Sequence, residues 1–281
     1  MSVDWSREEV EATVSDYFEM LANELRLEPI NKSEHSRNLQ KLLNGRTIRA
    51  IESKHQNISA ILIDLGCPYI AGYKPFTHYQ RMLRTVVEER LAAADSLQHA
   101  AESAVEQIIH QPPPTPDLLG ILVEKPTPTG EAPKLYDRPS IGVKSVKKNY
   151  LEIESRNQSL GLAGEKLILE FEHKRLWVAG KKDLAERIEH VAAQADNLGF
   201  DIKSYETNGR EKLIEVKTTR FGASTPFFAS LNEVKVSAAR ETDYQLYRLY
   251  NFTRSPKLFV LPGSLRNSCK LDPIQFVALP N

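Results

Sequence analysis

Gly199-Phe200-Asp201-Ile202-Lys203-Ser204-Tyr205-Glu206-Thr207-Asn208-Gly209-Arg210, continued by Glu211-Lys212-Leu213-Ile214-Glu215-Val216-Lys217-Thr218-Thr219, sets two alternating segments on either side of a polar turn. Ile214, Val216 and Thr218 alternate with Glu215 and Lys217, the period-two pattern of a strand with one apolar and one charged face. Phe200 to Glu206 alternates as well, with Asp201, Lys203 and Tyr205 on one side. Thr207-Asn208-Gly209 between them is turn-forming, and Gly209 tolerates a positive φ. The segment is predicted to be a β-hairpin.

Loop length then decides the chemistry. A two-residue Asn208-Gly209 turn pairs Thr207 with Arg210, and the carboxylates of Asp201 and Glu215 fall on opposite faces. A three-residue loop pairs Glu206 with Arg210 and sets Asp201 opposite Glu215, with Cβ atoms about 4.5–5.5 Å apart. Like charges so placed repel, and that register makes sense with a cation between them. A few hard oxygen ligands, partly open to water and phosphate, suit Mg²⁺, with Mn²⁺ as the alternative. Lys217 shares the face of Glu215 and points toward whatever the metal holds.

An Asp, a turn and then Glu-x-Lys on the next strand resembles the active site of the PD-(D/E)XK, or restriction endonuclease-like, nucleases. Further blocks strengthen the likeness: Leu160-Gly161-Leu162-Ala163-Gly164-Glu165 upstream, then Ser230-Leu231-Asn232-Glu233 and Tyr244-Gln245-Leu246-Tyr247-Arg248 downstream. In that order they resemble the domain at the C-terminus of the plant protein NO VEIN, also found in prokaryotic restriction-associated proteins. The one departure is Phe200, which stands where proline precedes the aspartate. The swap touches backbone stiffness and leaves the ligand in place.

The resemblance implies an α/β (α+β) restriction endonuclease-like core, a mixed sheet flanked by helices, preceded here by an all-α N-terminal domain. It implies a metal-dependent endodeoxyribonuclease, a hydrolase in restriction or antiviral defence. Asp201, Glu215 and the Val216 main-chain carbonyl would hold the metal, Lys217 would stabilise the transition state, and Glu165 would assist through water. Ser230 and Glu233 are explained by a capping box and stay outside the expected site. Double-stranded DNA is the expected substrate, and two cuts in a duplex favour a homodimer. The competing reading is an inactive nucleic-acid-binding or adaptor protein that keeps the fold.

Acidic and basic residues balance at 37 each, so net charge carries no nucleic-acid signature. The balance hides an asymmetry: residues 1–30 hold eight acidic and two basic side chains, whereas 31–57 hold six basic and two acidic. Two cysteines, Cys67 and Cys269, make neither a disulfide framework nor a zinc site and fit a reducing compartment. No apolar run reaches membrane-spanning length and the N-terminus is no signal peptide, so the expected location is the cytoplasm, with no membrane partner.

Three domains are expected: a helical head over 1–108, a Pro-rich linker over 109–144, and the nuclease-like domain over 145–281. Ser6 and Glu9 form a capping box for a helix over 7–25. Further helices are predicted over 36–43, around Ile58–Leu65, and from Thr77 to about 108. Residues 111–139 hold half of the chain's prolines, interrupted by an apolar patch at Leu118–Val123. After a helix over 157–174 with Leu162, Leu167, Ile168 and Phe171 inward, strands are predicted at 188–191, 227–230, 244–252 and 258–261.

Lys32, Arg37, Arg46, Arg49 and Lys54, with His35 and His55, lie in a stretch similar to the head of certain modular modification-dependent HNH endonucleases. As residues they are donors suited to a phosphate backbone. An equal alternative is that they pair with the acidic first helix, or that the head contacts a partner protein.

Overall fold

The computed structural model describes residues 4–43, 45–127, 148–193 and 198–274, which fall into two units. The proline-rich stretch from 128 to 144 lies outside the described residues.

The first unit is helical: α1 (Arg7–Leu25), α2 (Lys32–Leu42), α3 (Ile48–Asp64), α4 (Arg81–Ala92), α5 (Asp95–Glu106) and α6 (Tyr150–Ser155). The Ser6–Glu9 capping box starts α1, and Val10, Val14, Tyr17 and Leu21 bury one stripe against the helices around it. Asn31 caps α2 by accepting from the Glu34 N–H. The long helix expected over 77–108 is two helices. The chain breaks at Ala93–Ala94, where the Gln98 side chain donates to the Leu91 carbonyl at 2.7 Å. Alanine gives no pattern signal for a break, so periodicity ran through it.

The second unit takes in 108–126 and the chain from Asn157, apart from 224–226. It holds α7 (Gln158–Val178), α8 (Lys182–Ala185), β1 (Glu189–His190), β2 (Ile202–Tyr205), β3 (Glu211–Thr218), α9 (Leu231–Ala239), β4 (Tyr244–Tyr250), β5 (Lys257–Pro262) and α10 (Leu265–Ser268). The five strands form one sheet in sequence order. β3 and β4 are parallel and every other neighbouring pair is antiparallel. A parallel neighbour needs a crossover, and α9 supplies it. An all-helical region followed by a mixed sheet packed on helices is the fold class expected from sequence.

Both faces of the sheet are covered. Ile202, Ile214, Val216, Tyr247 and Leu249 pack with Leu160, Ala163, Leu167 and Phe171 of α7, and with Leu118 and Ile121 of the apolar patch. Leu213, Tyr244, Leu246, Phe259 and Leu261 pack on the other face with Val234 of α9 and Leu265 of α10. Leu162, expected inward, is 43 % exposed, because the buried stripe of α7 runs through Leu160, Ala163 and Leu167 instead. Gly164 lies where α7 crosses β3, and a methyl group there would run into the Thr218 hydroxyl. No strand forms at 227–230; Ser230 is the N-cap of α9, and its N–H is spent on the Glu233 carboxylate.

A charged network lies inside the α7 face. Glu172 is fully buried and accepts from Arg175 at 2.9 and 2.6 Å, from the Ser204 hydroxyl at 2.6 Å and from the Tyr247 hydroxyl at 2.9 Å. Lys212 Nζ stands 3.7 Å away. Burial pushes the Glu172 carboxyl up, but Arg175, Lys212 and Ser204 outweigh it and hold the group below its ordinary range.

Candidate active site

The hairpin takes the three-residue loop. Ile202 pairs with Ile214 and Tyr205 with Glu211, and the Glu206 N–H donates to the Arg210 carbonyl at 2.8 Å. Gly209 has φ +88°, which a residue with a Cβ rarely adopts. Carried one residue past Ile202, this register brings Asp201 level with Glu215. At Asp201 the ladder ends, and the side chain takes over the backbone's role: Oδ2 accepts from the Val216 N–H at 2.8 Å. That bond fixes the carboxylate against β3.

Glu215 and Lys217 project to the α9 side of the sheet. Glu215 is 3 % exposed, and its Oε1 lies 2.7 Å from Lys217 Nζ. Lys217 Nζ also lies 3.0 Å from Glu233 Oε2. Glu233 thus does more than cap α9, the only role its place in Ser-x-x-Glu revealed. The clue to its second role is tertiary: the first turn of α9 sits over the charged face of β3.

Electrostatics marks the cluster. Burial pushes the Asp201 carboxyl up to about 6; the Val216 N–H opposes this, Glu165 adds to it, Lys217 opposes and Glu233 adds. Burial also raises Glu215 well above the ordinary carboxylate range, with Asp201 and Glu233 adding to the rise and Lys217 opposing it. Burial lowers Lys217, yet Glu215 and Glu233 outweigh it and its pKa is raised. Tyr244 is buried, with its hydroxyl unpartnered among the described residues, and its pKa is raised by burial and then by Glu215, Glu233 and Asp201.

Glu165 sits on the first turns of α7, and its Oε2 lies 2.6 Å from Nε2 of His190 on β1. His190 was not among the expected site residues. Its strand was legible, but which element it would meet was not. Tyr247 and Arg248 are both buried in the sheet.

Among the described residues no group of three or more His, Cys, Asp or Glu side chains is placed to hold a metal ion. The oxygens of Asp201, Glu215 and the Val216 carbonyl are a smaller, hard donor set. Mg²⁺ fits such a set because it takes one or two carboxylates and keeps several waters. Burial is the main cause that raises both carboxyls, with Asp201 adding to the rise of Glu215, and a divalent ion between the two would offset that cost.

The basic residues of the head are placed differently from one another. Arg46 makes a bidentate pair with Glu9 at 2.8 and 2.7 Å and lies over the Trp5 ring. Lys54 is buried, also over Trp5, and burial lowers it to about 8. Lys32 donates to the Ala71 carbonyl and lies over Tyr73. Arg37 and Arg49 are exposed. His35 Nδ1 is 2.7 Å from Asp16, and the buried His55 is 3.4 Å from the same carboxylate. Arg46, His35 and His55 thus meet carboxylates of α1.

No helix among the described residues is long and apolar enough to cross a membrane. No curated protein and no solved structure matches the chain. A family model does: the one described as Protein NO VEIN, C-terminal, matches residues 164–261, from Gly164 in α7 to Leu261 in β5. Glu165, His190, Asp201, Glu215, Lys217 and Glu233 all fall within the match, and residues 164–261 of this chain are a NO VEIN C-terminal domain.

Proposed function

We propose that the second unit is a Mg²⁺-dependent DNA endonuclease, Mn²⁺ being the alternative ion, and that it serves in restriction or defence against foreign DNA. The observation that supports this reading is the meeting of Asp201 and Glu215 across one hairpin, with Lys217 on the same face. The ion, when bound, supplies Lewis acidity at the scissile phosphate and an acidified water. Asp201, aimed by the Val216 N–H, and Glu215 would hold it, with the Val216 carbonyl as a third donor. Lys217 places fixed positive charge where negative charge develops on the phosphoryl oxygens. Glu165, anchored by His190, is set to orient a water beside Asp201. Cutting both strands of a duplex calls for two such sites, hence a homodimer on DNA, with the head contributing Arg37 and Arg49 to the phosphate backbone or binding a partner protein.

The second reading is a non-catalytic binding or adaptor role, in which Lys217 serves as the ion-pair partner of Glu215 and Glu233. Incubation with supercoiled plasmid, modified and unmodified, in Mg²⁺ or in EDTA separates the two readings. The endonuclease converts at least one plasmid to open-circular or linear form in Mg²⁺ alone. Intact plasmid in every lane leaves the adaptor.

A further inference from the structure

Within the proposed site, Lys217 has two anionic partners, and they are not equivalent. Glu215 is a candidate ligand of the cation, whereas Glu233 is held by its own helix. Its Oε2 accepts from the Ser230 N–H at 3.2 Å in the capping box and faces Lys217 Nζ at 3.0 Å. The cap therefore fixes the rotamer that aims the carboxylate back across β3. The helix itself is seated closely on the segment leading into Asp201. A methyl group on Gly199, which has φ +77°, would come within 2.7 Å of Val236 and 3.1 Å of Asn232.

A divalent cation on the Glu215 carboxylate weakens the hold of that carboxylate on the Lys217 ammonium, since the two positive charges repel at that range. Side chains of Lys217, Glu215 and Glu233 are 19, 5 and 17 % exposed, so the ammonium has little water to turn to and needs a second counter-charge.

We infer that Glu233 is a positioning residue: it takes up Lys217 when Glu215 turns to the cation, and so keeps the lysine beside the site without letting it compete for the ligand. This rests on the metal-dependent reading above. The sequence device is economical, because one Glu at the third helical position both caps α9 and holds the lysine.

The test is calorimetric titration of the full chain with Mg²⁺ for the wild type, Glu233→Gln, Lys217→Met and the double variant. Glutamine also serves the capping box, so Glu233→Gln should melt near the wild type without metal. Its Mg²⁺ affinity should fall several-fold, because Lys217 falls back on Glu215 alone and competes with the ion. In the Lys217→Met background the same substitution should cost much less, and that difference is the coupling a double-mutant cycle isolates. Equal losses in both backgrounds would mean that Glu233 acts only through its charge on the ion and would overturn the positioning role, as would no loss in either. A wild type that binds no Mg²⁺ would remove the metal site itself, and the inference with it.

Discussion

Glu215→Gln is expected to stabilise the metal-free protein at about pH 8 and to change it little at about pH 5. Asp201 and Glu215 are carboxyls whose pKa in the folded chain lies above that in the unfolded chain, about 4. The folded state therefore binds more protons through this window, and stability falls as the pH rises from about 4 through the folded values, about 6 for Asp201 and higher for Glu215. Glutamine mimics the protonated form at every pH and removes that loss at one of the two positions. The gain at the alkaline end is on the order of 1 kcal/mol, reduced by the lost contact with Lys217. Saturating Mg²⁺ should raise the melting temperature of the wild type, by about 2.7 kcal/mol of stabilisation at a hundredfold excess over Kd, and do little for the variant. Cleavage should fall by orders of magnitude. Thermal scans with and without Mg²⁺ at the two pH values read all but the last. A variant that is a few tenths of a kcal/mol less stable at both, with no response to metal in either protein, would make Glu215 a mere partner of Lys217.

Glu172→Ala should be the most destabilising single change in the second unit. The substitution leaves Arg175, the hydroxyls of Ser204 and Tyr247, and Lys212 facing a space with no anion in it. Removing one member of a buried ionic group costs about 3–5 kcal/mol, more than the transfer energy of the side chain itself. The melting transition of the second unit should drop by roughly 10 °C or more. Because the chain has two units, the scan should resolve two transitions, and only one should move. An unmoved transition would show that the network is replaceable by water.

The hairpin, its register partner and the sheet around it were legible because their signals are local: period-two alternation, a glycine-bearing turn, and β-branched apolar positions at Ile214 and Val216. Two registers stayed open from sequence, and tertiary packing of both sheet faces decides between them, since a one-residue slip would turn Ile214 and Val216 away from α7. Glu165 was found through its helix block, but its partner His190 belongs to a two-residue strand too short to announce where it points. From sequence Glu233 reads wholly as a cap, because a local explanation that suffices hides a second, long-range one. Glu172 and Lys212 left no trace in the pattern: a buried ion network reads in sequence like any charged face. The break between α4 and α5 is silent in the sequence for a plainer reason, an alanine pair that suits a helix interior as well as its end.

The most direct measurement is the rate of Mg²⁺-dependent plasmid cleavage by the wild type and by Lys217→Met, purified identically, with the Mg²⁺-induced melting shift recorded for both. Lys217 has no place among the metal ligands, so the variant should keep its melting shift while cleaving about 100-fold or more slower, the cost of removing one positioned transition-state charge. Equal rates for the two proteins would place the cleaving activity somewhere other than the Asp201–Glu215–Lys217 site.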